Sequence, residues 1–76
     1  STMKEIKQAL TIKFKELGCK NYKVLIAEEA GLTVQRVRKF FADEDWANPR
    51  IKAAAFRVLK RETERCQAEL RQLQQI

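Results

Sequence analysis

Residues 33–42, TVQRVRKFFA, gather the side chains best suited to polar recognition. Gln35 carries an amide that can bind an adenine edge at two points, and Arg38 and Lys39 bring donors suited to guanine or to phosphate. Val34 can meet a thymine methyl, while Arg36 and Thr33 suit phosphate oxygens, helped by the free amides of a helix N-terminus. On a helix turning roughly 100° per residue, with Val37 taken as inward, Phe40, Phe41, Thr33 and Val34 fall within about 60° of it. Gln35, Lys39 and Ala42 point nearly opposite, with Arg38 beside that outer face and Arg36 flanking it from the other side. No acid interrupts the stretch before Asp43. The expected result is a cationic, amide-bearing surface on an apolar back.

Such a helix needs a partner to hold it. In residues 23–42, KVLIAEEAGLTVQRVRKFFA, Ile26, Ala27, Ala30, Gly31, Leu32, Val37 and Phe40 fall where two short helices crossing at a tight turn require small or apolar side chains. Ala27 permits close approach, Gly31 supplies the left-handed backbone that ends the first helix, and Thr33 can cap the second. The pattern AxxAGL, then Thr and a basic amphipathic helix, resembles the helix-turn-helix of the lambda-repressor and lactose-repressor superfamily. That resemblance covers about twenty of the 76 residues. It implies that residues 33–42 enter the major groove of double-stranded DNA while the preceding helix lies across the backbone, where Lys20 and Lys23 meet phosphates.

Around this pair the spacing predicts two more helices. Met3, Ile6, Leu10, Phe14 and Leu17 make one apolar stripe over residues 3–17, stopped by Gly18, with Lys4, Lys7, Lys13 and Lys15 expected on a basic, solvated face. Ser1 and Thr2 are left outside the fold. Asn21 is expected to cap a supporting helix over 22–29, with Leu25, Ile26 and Ala30 inward and Glu28 and Glu29 outward. The loop DEDWANP follows residue 42, its three acids marking the end that faces away from DNA and Trp46 anchoring it to the core. Asn48 and Pro49 then read as N-cap and first helical residue.

No further Pro or Gly follows Pro49, so one helix is expected to run to the end of the chain. Ile51, Ala54, Ala55, Val58 and Leu59 can pack on the other helices. Phe56, Leu59, Thr63, Cys66, Leu70 and Leu73 alternate by three and four, a heptad seam that extends past any core the earlier residues can cover. An uncovered apolar stripe of this kind points to self-association. The expected fold is therefore all-α, a small four-helix domain containing a helix-turn-helix with a long C-terminal helix. Residues 3–61 form the DNA-binding domain, and residues 62–76 extend the last helix as a dimerisation segment.

Composition narrows the function classes. Sixteen Lys and Arg against ten Asp and Glu give a net charge of +6, which favours an acidic partner. The positive field belongs to the first sixty residues. Two distant cysteines and no histidine leave no zinc site and no Cys-His nucleophile within one chain. With no glycine-rich phosphate loop and no paired acids outside solvated helix faces or the DED loop at residues 43–45, an enzyme is not expected, nor a metal or a cofactor, and no small-molecule effector is evident. No run approaches the ~20 apolar residues of a membrane span, and no signal peptide is apparent. The expectation is a cytoplasmic homodimer that binds double-stranded DNA sequence-specifically, a prokaryotic or phage-type transcriptional regulator. The alternative is a small helical adaptor that docks on another protein through the last helix.

Overall fold

The computed structural model describes residues 2–76, and among these the chain forms four helices: α1 (Met3–Glu16), α2 (Tyr22–Ala30), α3 (Val34–Ala42) and α4 (Pro49–Gln74). No strand occurs among the described residues. Each helix begins close to where its local chemistry predicts. Asn48 accepts from the Ile51 amide and Pro49 occupies the first turn of α4, where its missing N–H costs nothing. Thr33 accepts from the Arg36 amide at the start of α3.

Two N-termini depart from expectation. Thr2 belongs to the fold: its hydroxyl accepts from the Glu5 amide while the Glu5 carboxylate receives the Thr2 amide, a reciprocal capping box on α1. Ser1 lies outside the described residues. Asn21 makes no side-chain cap on α2, because its Oδ1 faces the Cys19 thiol at 3.6 Å.

α2 ends at Gly31, whose φ of +68° is the left-handed conformation that residues with a Cβ rarely adopt. Leu32 and Thr33 complete a three-residue turn into α3. The Leu32 amide bonds back to the Ala27 carbonyl, and the Gly31 amide to that of Glu28. These bonds satisfy the last carbonyls of α2 and fix the direction in which α3 leaves.

The core is built from the inward stripes of all four helices. α1 contributes Leu10 and Phe14, α2 Ile26, Ala27 and Ala30, α3 Val37 and Phe40, and α4 Ile51, Ala54, Ala55 and Val58; Cys19 closes one end. α2 packs on both α3 and α4, and α1 packs on α4. Alanines at 27, 54 and 55, all buried, leave room for helices to approach closely. Leu25 is only half-buried. Aromatic rings link the ends of three helices: Phe14 stacks on Tyr22 with centroids 4.9 Å apart, and Tyr22 meets Phe41 edge-on at 5.6 Å.

Lys7 overturns the reading of α1 as carrying one solvated basic face. It is 4% exposed, and its ammonium donates to the carbonyl oxygens of Asp43 and Trp46, each at 2.7 Å, while sitting 4.3 Å from the centroid of the Phe40 ring. Burial of a lysine is tolerated because carbonyl dipoles and an aromatic face replace water around the charge. Glu29, expected to face outward, instead bonds Arg57 at 2.9 Å and Arg61 at 3.0 Å, clamping α2 to α4.

The molecule extends 46 × 26 × 17 Å. Its long axis follows from α4, whose 26 residues span about 39 Å at ~1.5 Å each. The first half of α4 is a wall of the core. From Gln67 onward every residue is exposed.

Candidate nucleic-acid interface

α3 stands on two side chains with no solvent exposure, Val37 and Phe40, so its outer face cannot rotate without emptying the core. Thr33 at the N-cap, and Gln35, Arg36, Arg38 and Lys39 on the helix, are all exposed. Among the described residues no carboxylate forms an ion pair with Arg36, Arg38 or Lys39, which leaves these cations available to an external anion. Val34 differs from its neighbours. It is half-buried and packs against the core, so only part of its surface is open to a base methyl.

The C-terminal end of α3 is held by groups that the outer face does not use. The Asp43 carbonyl accepts from Lys7, and the Asp43 carboxylate accepts from the Asp45 amide at 3.0 Å. The Lys7 ammonium thus supplies positive charge where the helix dipole is negative, offsetting the acids of the loop. Trp46 packs against the core as expected, and Lys39 lies 4.7 Å from the centroid of its ring. Lys39 thus lies over the loop's aromatic ring while staying exposed. The α1 residue Lys4 meets Glu44 of the same loop at 3.6 Å.

Of the flanking lysines, Lys20 is exposed and Lys23 is half-buried, its ammonium 5.7 Å from the centroid of the Tyr22 ring. Both precede or open α2, at the end where Tyr22 meets Phe41 of α3. Arg50 is a cation that motif reading missed. Its guanidinium lies 3.2 Å from the position a Cβ would take on Gly31, so it stands beside the turn between α2 and α3. The signal available for it was the run of five basic residues without an acid over residues 46–61.

The seam on α4 divides into two parts. Leu59, Thr63 and Cys66 are half-buried, whereas Phe56, Leu70 and Leu73 are 46%, 55% and 66% exposed. Arg65 bridges Glu62 and Glu69 along the helix, and these bonds raise its already high affinity for a proton. Cys19 is buried, and loss of water around its thiol, with Glu62 nearby, pushes its pKa up against the opposing pull of Arg65. No described group of three or more His, Cys, Asp or Glu is placed to hold a metal ion, and no described helix is long and apolar enough to cross a membrane.

No protein family, no curated protein and no solved structure matches this chain.

Proposed function

We propose that the chain binds double-stranded DNA sequence-specifically, as a transcriptional regulator of prokaryotic or phage type that inserts residues 33–42 into the major groove. The reading rests above all on one observation. Gln35, Arg36, Arg38 and Lys39 are exposed together, without acidic partners, on a helix locked by two fully buried residues. A rigid helix carrying an amide and guanidinium groups suits base edges, which must be met at fixed angles. Arg50 beside the turn, and Lys20 and Lys23 at the opposite end of α2, add positive charge and suit phosphates, whose contacts set orientation. Two copies joined through α4 would present two such helices to successive grooves roughly 34 Å apart. The site of action is cytoplasmic.

Selection of bound duplexes from a random pool tests this reading. Enrichment of a two-fold symmetric sequence supports both DNA reading and dimerisation. Failure to enrich any sequence, with no duplex affinity at low salt, would overturn it.

The exposed Leu70 and Leu73 favour a second reading, a helical adaptor that uses the end of α4 to dock on another protein. That reading takes over if the chain is monomeric at high concentration and has no duplex affinity.

A further inference from the structure

Beside the core, α1 and α4 leave an apolar groove open. One stretch is lined by Ile6, Ala9 and Phe56, the next by Leu17 and Thr63, and Lys13 and Leu59 line both, so the two are continuous. The groove ends with α1. Beyond it the same face of α4 runs on with no neighbour, carrying Leu70 and Leu73 into solvent. Each molecule thus has a groove along one half of the seam and a bare helix along the other.

We infer that two copies associate antiparallel, the end of each α4 lying in the α1–α4 groove of the other. The inference rests on the homodimer in the proposed function and gives that dimer a geometry. The seam steps by 3, 4, 3, 4 and 3 residues from Phe56 to Leu73, a spacing that reads the same in both directions. A two-fold axis between Thr63 and Cys66 therefore sets Phe56 against Leu73 of the second copy, Leu59 against Leu70, and Thr63 against Cys66. The three most exposed seam residues are all covered in one step.

Extent of contact separates this from parallel pairing. Parallel copies would bring both α1 walls to the same level, confining contact to the part of α4 past α1, about 11 residues or ~16 Å of helix. The antiparallel pair uses the whole 18-residue stretch from Phe56 to Leu73, about 27 Å, and adds the α1 wall. Stable dimers bury on the order of 800 Å² per partner, which favours the longer contact. Charge is nearly balanced along this contact: residues 62–76 carry three acids and two bases and would lie against a wall that holds both Lys13 and Glu16. On the flank where Glu62 comes near Glu69 of the second copy, each chain's Arg65 is bonded to its own Glu62 and Glu69.

Light scattering across a concentration series, combined with cysteine cross-linking, tests the pairing. The wild-type chain is expected to be dimeric, and Leu70→Glu with Leu73→Glu, both at exposed positions, to weaken the dimer more than tenfold while the circular dichroism spectrum stays unchanged. Under mild oxidation the Thr63→Cys protein should form a covalent dimer, because the new thiol faces Cys66 across the axis. Neither the wild type nor Thr63→Cys with Cys66→Ser should do so, since their single seam thiols sit in different layers, beyond the ~7 Å Cα separation a disulfide spans. A dimer that cross-links through wild-type Cys66 alone is parallel and overturns the inference while sparing the homodimer. A dimer in which Thr63→Cys fails to cross-link overturns it as well. A chain that remains monomeric at all concentrations overturns both, and leaves DNA binding to the duplex selection.

Discussion

The Lys7 ammonium donates to the Asp43 carbonyl oxygen at 2.7 Å, joining α1 to the residue that ends α3 across 36 positions of sequence. Through this bond, and its twin to the Trp46 carbonyl, the helix that presents Gln35 and Arg38 is fixed at its far end as well as at its turn. Replacing Lys7 by Met keeps the aliphatic stem and removes the donor. Two carbonyls then lose their partner, and the expected loss is about 2–3 kcal/mol, read as a lower midpoint in urea unfolding. Lys4→Met, at an exposed position, should change stability by less than about 0.5 kcal/mol.

The turn between α2 and α3 makes a separate demand. Gly31→Ala forces a Cβ into φ +68°, at a cost of roughly 1–2 kcal/mol, and also displaces the Arg50 guanidinium. Thr33→Ala removes the hydroxyl that accepts from the Arg36 amide, an expected loss of about 1 kcal/mol. Denaturant midpoints of the two variants, and of the pair combined, give these values directly.

Base reading and phosphate binding should separate in titrations against a selected duplex. Gln35→Ala is expected to relax preference at one base pair, costing about 1–3 kcal/mol on the preferred site and little on others. Arg36→Ala, Lys39→Ala and Arg50→Ala should weaken all sequences alike and each lower the slope of log affinity against log salt by about 1. Equal losses on every sequence for Gln35→Ala would show that its amide reads no base.

Acid should loosen the clamp between α2 and α4. Hydrogen bonds from Arg57, then Arg61, hold the Glu29 carboxyl below its ordinary value of 4.5. The unfolded chain therefore takes up this proton at a higher pH than the folded one. The stabilisation is complete above the ordinary carboxylate range and is lost as pH falls through the depressed folded value. Glu29→Gln should flatten that part of the stability profile, measured by thermal unfolding between pH 7 and pH 3, with Glu28→Gln as the control at an exposed position.

Much of this molecule was legible locally. Apolar residues at helical spacing, Gly31 at the turn, Thr33 as cap and Asn48 with Pro49 are short-range signals, because helix boundaries depend on groups within a few residues of one another. The exposed face of α3 followed from the same periodicity, since Val37 and Phe40 can point only one way. The bare end of α4 was legible too, as an apolar seam longer than the core beside it.

Long-range partners were not legible, and Lys7 shows why. Met3, Lys7, Leu10, Phe14 and Leu17 form a stripe as regular as the one drawn through Ile6, so its position was a signal, but its charge argued for solvent. Only the arrival of two carbonyls and the Phe40 ring from residues 40–46 made burial of that ammonium favourable. Glu29 found its arginines 28 and 32 positions away, and Arg50 came to rest beside Gly31 from a different helix. The sequence by itself determined the four helices and the face that α3 offers, because those depend on local backbone chemistry and on the periodicity of apolar residues. Which charges are spent inside the protein and which remain for a partner was decided by the tertiary structure, because an ion pair or a lysine–carbonyl bond depends on distance in space and has no period along the chain.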